Sequence, residues 1–277
     1  SFVGTSVNLN KLELTNGIVS CGGGILLSQS SIRMENGTVD CGGDIIMNKG
    51  KISLLRGAAS GPSLLCGGNM TLTNSSELTV YSAPTNGTLP GYGALARVKG
   101  DMTISTSSWV YPYSHETNGG SVFFGVNKLT IGANSGFNAN GRGFAGRSNP
   151  RKGYGPGGGE GFCGGGYGGT GGGNGGTAGG VTYGSSIGPM YSGSAAGEGG
   201  SAPGASGGGL VCIRAAADAL VDGSILANGN NFIGAGGGSG GGVFLMCKKF
   251  SGTTGVLSAK GGDGKSASFG GGGGGRI

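Results

Sequence analysis

The chain has 277 residues, of which 73 are Gly and only 11% are charged, with a formal net charge of +6. Gly at several times its ordinary ~7% share, with so little charge, excludes a solvated disordered polyelectrolyte, and Gly in runs beside only 8 Pro excludes collagen. No apolar run approaches the ~18 residues of a membrane span, and a first residue that is Ser, without a visible signal peptide, predicts a processed chain or a segment of a longer one.

In chain order, the first elements are three matching phrases, CGGGILL from Cys21, CGGDIIM from Cys41 and CGGNMTL from Cys66. Each holds two apolar residues at the strand period of two, and a second such pair follows. Ile25 and Leu27 are answered by Ile32 and Met34, Ile45 and Met47 by Ile52 and Leu54, and Met70 and Leu72 by Leu78 and Val80. Without the cysteine, Met102 and Ile104 precede Trp109 and Tyr111, and Leu129 and Ile131 precede Phe137 and Ala139. This predicts strand, short turn, strand in each repeat. Successive first pairs lie 20, 25, 32 and 27 residues apart, as in solenoid coils with loops of varying length. No stretch keeps the helical period for three turns, and Gly, Asn and Ser interrupt every candidate helix.

The spacing breaks between Gly141 and Gly209. The stretch from Gly153 to Gly176, GYGPGGGEGFCGGGYGGTGGGNGG, carries little charge, and Tyr154, Phe162, Tyr167, Tyr183 and Tyr191 are spaced through this region. These features predict an ordered loop lying on the solenoid, since Gly runs can pack as extended helices of three residues per turn. Beyond it, GGGLVCI at Gly207, GGGVFLM at Gly240 and GGGRI at Gly273 recur every 33 residues. Aligning GFNANGRG, SILANGNN and VLSAKGGD puts Ala139, Ala227 and Ala259 in one column, each with an apolar residue two before it and a Gly two after. GGGRI reads as the opening of a further strand, so that the chain either continues or meets another subunit there.

The predicted fold is all-β: a right-handed parallel β-helix, its hand taken from the rule for parallel crossovers, with one long glycine-rich insertion. Residues 1–141 form the N-terminal coils with Cys-Gly-Gly corners, 142–208 the insertion, and 209–277 further coils of the same solenoid. The ordered phrases GPGGG, GGGYGG, TYGS, GGGLVCI, SILANG, GGGSGGGVFLM and GGGGGGRI, across Leu129 to Ile277, resemble the large glycine-rich extracellular β-helix surface proteins of plants, oomycetes and other protists, and some bacteria. That resemblance implies a secreted or surface structural role and carries over no catalytic residue. The Cys-Gly-Gly coils lie outside it.

Catalytic chemistry has little to stand on. His115 is the single histidine and has no marked partner; no nucleophile elbow has a strand-to-helix setting. The acids nearest to a cluster are Asp40 with Asp44 and Asp218 with Asp222, each pair spanning a turn, and no repeated Arg or Lys column joins them. Asp263 in GGDG is the only carboxylate of a would-be calcium loop, so no cofactor or metal is expected. The basic run Arg142, Arg147, Arg151 and Lys152 reads as a solvated loop, without nucleic acid as partner.

Six cysteines are candidates for disulfides: Cys21, Cys41, Cys66, Cys163, Cys212 and Cys247. The first three share a column whose rung spacing suits a disulfide; a bond between neighbours and a ladder of buried thiols both fit. Cys212 and Cys247 stand two residues out of register. N-glycosylation sequons begin at Asn36, Asn69, Asn74 and Asn86, a number near chance, but Asn36, Asn74 and Asn86 fall in predicted turns. The expectation is an extracellular, non-enzymatic, glycosylated structural subunit whose partners are copies of itself or further solenoid segments, and glycans. The alternatives are an adhesin or carbohydrate-binding module presenting Tyr154, Tyr167, Tyr183 and Tyr191 as an exposed row, and a polysaccharide lyase or hydrolase.

Overall fold

The structure, a computed structural model, describes all residues except 1, 8–9, 57–62, 85–91, 148–150, 201–202, 233 and 265–267, and for 2–7 the backbone only is described. The described residues form strands and no helix. The first four strands are β1 (Phe2–Val7), β2 (Lys11–Thr15), β3 (Ile18–Ser28) and β4 (Ser31–Glu35). Three-strand repeats follow: β5 (Thr38–Cys41), β6 (Ile45–Asn48), β7 (Lys51–Leu55); then β8 (Ser63–Cys66), β9 (Met70–Thr73), β10 (Glu77–Tyr81). Next come β11 (Ala94–Val98), β12 (Met102–Ile104), β13 (Trp109–Tyr113), and β14 (Val122–Val126), β15 (Leu129–Ile131), β16 (Gly136–Asn138). After the glycine-rich region, the pattern resumes with β17 (Leu210–Ala215), β18 (Asp218–Val221), β19 (Ser224–Leu226), and β20 (Gly242–Met246), β21 (Lys249–Ser251), β22 (Val256–Ser258).

From β5 onward each strand pairs in parallel with the third strand after it, which builds three ladders. The first runs β3-β5-β8-β11-β14-β17-β20, the second β3-β6-β9-β12-β15-β18-β21, and the third β2-β4-β7-β10-β13-β16-β19-β22. The long β3 joins the first two, because Ile18–Cys21 pairs with β5 and Ile25–Ser28 with β6. Parallel strands buried on their inner face need apolar columns in register. Each ladder has one: Val19-Val39-Leu64-Ala96-Phe124-Ile213, Ile25-Ile45-Met70-Met102-Leu129-Ala219, and Leu12-Ile32-Ile52-Leu78-Val110-Phe137-Ile225. These columns meet in one hydrophobic core.

Three expectations need correction. The repeat has three strands where two were expected; the missed one holds Val39 with Cys41, Leu64 with Cys66 and Ala96 with Val98, so Cys41 and Cys66 each close a strand and the glycines after them make the turn, whereas Cys21 lies within the continuous β3. The pair Trp109 and Tyr111 faces outward, since Val110 and Pro112 occupy the core column opposite Leu78 and Val80. A slip of one residue exchanges the faces, and the buried column decides it. Third, the phrase period of 33 is not the pairing step: Leu210 lies opposite Gly242, and Gly242 forms a parallel bridge with Arg276. Cys212 therefore faces Phe244, and Cys247 stands three residues beyond that position, not two.

Pro112 lacks a backbone donor, which a central strand tolerates poorly. Here the cost is avoided, because β16 pairs only with Trp109 and Val110 and leaves the far half of β13 without a neighbour on that side.

Candidate functional site

The glycine-rich stretches form a lattice of a different kind. Gly164, Gly165 and Gly166 donate their N–H groups to the carbonyls of Gly172, Gly237 and Gly157, three separate segments. From Gly237 to Gly242 the pattern repeats every third residue. Gly237 and Gly240 donate to Gly270 and Gly273, Gly238 and Gly241 to Asn230 and Ala227, and Ser239 and Gly242 to Ser194 and Gly209. A strand would send every bond to two flanking neighbours, whereas an extended helix of three residues per turn sends them in three directions and keeps none for itself. Neighbours then approach so closely that side chains are shut out: a Cβ at Gly237 would collide with the carbonyl of Gly262, and one at Gly165 with the carbonyl of Ser194. Residues between 153 and 208 thus hydrogen-bond to segments 227–241 and 259–275.

The tyrosines sit inside this lattice. Tyr167 is 0% exposed, Tyr183 packs on it with ring centroids 4.9 Å apart, and Tyr191 meets Tyr183 edge-on at 6.0 Å. Burial pushes the Tyr167 hydroxyl up to about 12 and that of Tyr183 further. Arg276 reaches back into the cluster, its Nη2 donating to the Tyr183 carbonyl at 3.2 Å with its guanidinium 5.6 Å from the Tyr167 ring centre. Tyr154 is half-buried beneath Arg147, 4.3 Å away. Only Tyr191, 49% exposed, presents much surface, so the four do not make an exposed row.

The cysteine column is in register, with Cys21 opposite Cys41 and Cys41 opposite Cys66. All six cysteines are thiols. In the column each thiol points at turn carbonyls: Cys21 Sγ lies 3.4 Å from the Gly24 carbonyl, Cys41 Sγ 3.2 Å from that of Gly23, and Cys66 Sγ 3.3 Å from that of Asn69. Burial raises the Cys41 and Cys66 thiols above their ordinary range. Cys163 is buried among the glycines. Cys212 lies on the outward face of β17 but is covered by Met190, 3.9 Å from its sulfur, and burial pushes its thiol up to about 12.

The acids do not converge. Asp44 accepts from the Asn69 N–H at 2.7 Å, Asn69 Oδ1 accepts from the Asp101 N–H at 2.9 Å, and Asn127 Nδ2 donates to Asp101 Oδ1 at 2.8 Å. This is a ladder of turns, one rung bonded to the next. Asp40 is exposed on β5, while Asp222 accepts from the N–H and hydroxyl of Thr253, which holds its carboxyl below the usual range. His115 Nδ1 accepts from Asn118 N–H at 3.2 Å in its own loop, and burial lowers it below the ordinary histidine value. Asp263 donates its N–H to Asn231 Oδ1. Among the described residues no group of three or more His, Cys, Asp or Glu could hold a metal ion, and no helix is long and apolar enough to cross a membrane.

The sequon at Asn36 lies in a left-handed turn, half-buried, its Nδ2 donating to Asn16 Oδ1 at 2.7 Å. Asn74 is exposed in a similar turn, with its Nδ2 3.0 Å from Asn48 Oδ1, and Asn69 is exposed in the Asp44 ladder. Asn86 lies outside the described residues. The basic run does not act as one patch: Arg142 stacks on the rings of Tyr111 and Tyr113, both at 4.8 Å, Arg151 Nε is 3.4 Å from Glu198 Oε1 with most of its side chain exposed, and Lys152 is exposed. Sequence reasoning missed the grouping of Arg97 and Lys99, at the end of β11, with Arg214 on β17, which meet only when the rungs stack. No family model, no curated protein and no solved structure matches this chain.

Proposed function

We propose that the protein is a structural subunit of an extracellular fibre, appendage or matrix, built as a right-handed parallel β-helix that extends by adding rungs. The observation that carries this reading is Phe250. It stands in the core column of Ile25, Ile45, Met70, Met102, Leu129 and Ala219, each 0–1% exposed, yet it is 54% exposed itself. The inward residues beside it on the last rung, Leu245 and Leu257, are only partly buried. A core side chain left in water, on strands with unpaired backbone groups, is a template for another rung.

The burial of Tyr167 and Tyr183 favours a scaffold over an adhesin built on the glycine-rich region, and so does the dispersal of the acids over a polysaccharide-cutting groove. Secretion and glycan attachment at Asn36, Asn69, Asn74 and Asn86 belong to the same proposal, as does kinship with the glycine-rich β-helix surface proteins that Leu129–Ile277 resembles. Electron microscopy of native material tests it. Rods or filaments whose subunits repeat along one axis are expected; isolated, non-associating particles would sink the reading.

A further inference from the structure

The outward column of the first ladder runs Asp40, Leu65, Arg97, Gly125, Arg214, Met246. Two arginines therefore flank a glycine, two rungs apart, or about 9.6 Å at the usual inter-strand spacing. Because Gly125 has no side chain, the gap stays open as a furrow of ≈ 410 Å³, lined by Arg97, Lys99, Phe123, Gly125, Asn127 and Arg214. Phe123 forms one wall and is itself backed by Tyr92, ring centroids 5.4 Å apart.

Exposed cations occur elsewhere too, Arg33, Lys49 and Lys128 among them, but Arg97, Lys99 and Arg214 line one furrow. Arg142, Arg147 and Arg151 are spent on rings or on Glu198, and Lys11, Lys51 and Arg56 sit in ion pairs. Arg97, Lys99 and Arg214 are exposed, and no carboxylate lines their furrow. Guanidinium groups hold carboxylates through paired N–H donors, which gives geometric selectivity as well as charge attraction. A furrow with a glycine in its floor, cationic sides and an apolar wall suits a stiff chain bearing carboxylates at regular intervals.

We propose that this furrow docks an acidic polysaccharide, a chain of uronate sugars laid along the stacking axis, with carboxylates held by Arg97 and Arg214 and a further contact from Lys99. An extended pyranose chain advances by about one rung per sugar, so every second uronate reaches an arginine while the sugar between them passes over Gly125. Nucleic acid fits less well. Single strands are held chiefly by bases stacking on open aromatic faces, and Phe123 is already stacked on Tyr92. A duplex is held by many phosphate contacts, and three cations line this surface. In a matrix component such a site would tie the rod to its surroundings, though the furrow does not depend on the rod assembling.

Affinity electrophoresis of the whole chain in gels containing polygalacturonate tests the proposal, with neutral dextran and single-stranded oligothymidylate as comparisons. Polygalacturonate should retard the protein, and Arg97→Gln/Arg214→Gln should weaken that binding about tenfold, the sum of two exposed charge contacts. Lys11→Gln/Lys51→Gln removes the same charge from another face and should leave it unchanged. Circular dichroism of each variant reports whether the fold survives, and the outward position of both arginines predicts that it does. Equal migration in polygalacturonate and dextran would overturn the proposal. So would equal losses in the two double variants, or oligothymidylate binding as tightly and falling as far.

Discussion

The Ser194 hydroxyl donates to the Tyr183 hydroxyl at 2.9 Å, and this contact is the middle of a relay. Gly157 N–H donates to Ser194 Oγ at 3.0 Å, and Tyr183 in turn donates to the Ser192 carbonyl at 2.5 Å. Three glycine-rich segments are thereby tied at one buried point. Removing only the oxygen, in Tyr183→Phe, leaves the Ser192 carbonyl without that donor and the Ser194 proton without its acceptor. The expected loss is about 1–3 kcal/mol, the cost of stranding buried polar groups, read as a lower midpoint in denaturant unfolding. No change would mean that the relay contributes nothing to stability.

The same burial sets a dependence on alkaline pH. Tyr167 and Tyr183 are held above the ordinary tyrosine value of 10.0, so above that value the folded state keeps protons that the unfolded chain releases. Their contribution is fully present below pH 10 and is lost as pH rises through the folded values. Stability should therefore fall progressively above pH 10. Absorbance titration near 295 nm should show fewer phenolates in the folded chain than in the denatured one at about pH 11, with Tyr167 and Tyr183 joined by Tyr81 and Tyr111, which burial also raises.

A paired glycine substitution tests the lattice. At Gly237 a new methyl would strike the carbonyl of Gly262, whereas at Gly274 a Cβ meets nothing within 4 Å. Both lie in glycine runs that are indistinguishable by composition. Gly237→Ala should cost several kcal/mol, as expected for overpacking backbone against backbone, and Gly274→Ala should be neutral within about 0.5 kcal/mol or slightly stabilising. Equal effects would show that these runs are loops and not a packed array.

Trp109 reports on register. Because it is the single tryptophan, its emission is unambiguous, and the outward position predicts ready quenching by acrylamide together with a red-shifted maximum. A buried, unquenched Trp109 would mean that β13 pairs one residue away from Val110 opposite Leu78.

How far the sequence could be read depends on which residues set the register. The apolar pairs at Met70, Met102 and Leu129 were legible because a Thr stands between their members, so alternation alone gives the inside; at Ile25 and Ile45, where the exposed Leu26 and Ile46 intervene, it was the match to the other repeats that did so. WVYPY defeats that test, since Trp109, Val110, Tyr111 and Tyr113 are all apolar enough to be core, and only the neighbouring column decides. The strand before each Cys-Gly-Gly was hidden by its brevity: TVDC and SLLC show two inward residues each. That the glycine runs could pack as helices of three residues per turn was legible from composition, whereas the partners of their three-directional bonding were not, because the discriminating quantity is which segment lies alongside. Arg97 and Arg214 were illegible for the same reason, being 117 residues apart in the chain and two rungs apart in space.

The cysteine column gives the last prediction. In-register parallel neighbours bring Cα atoms within disulfide range, yet Cys41 Sγ lies near the carbonyls of Gly23, Gly43 and Asp44, and Cys66 Sγ near those of Gly43 and Asn69. Each sulfur thus serves its own turn and the one beneath it. Burial keeps Cys41 and Cys66 in the unreactive thiol form. An aromatic disulfide reagent should label the half-exposed Cys247 first and leave Cys21, Cys41 and Cys66 untouched until denaturant is added, after which all six should react without reductant. Fewer than six thiols in the denatured, unreduced chain would establish a disulfide in its place. Cys41→Ala, which removes the sulfur from beneath three carbonyls, should cost about 1–2 kcal/mol. Cys41→Ser supplies a stronger donor at the same place and should cost less.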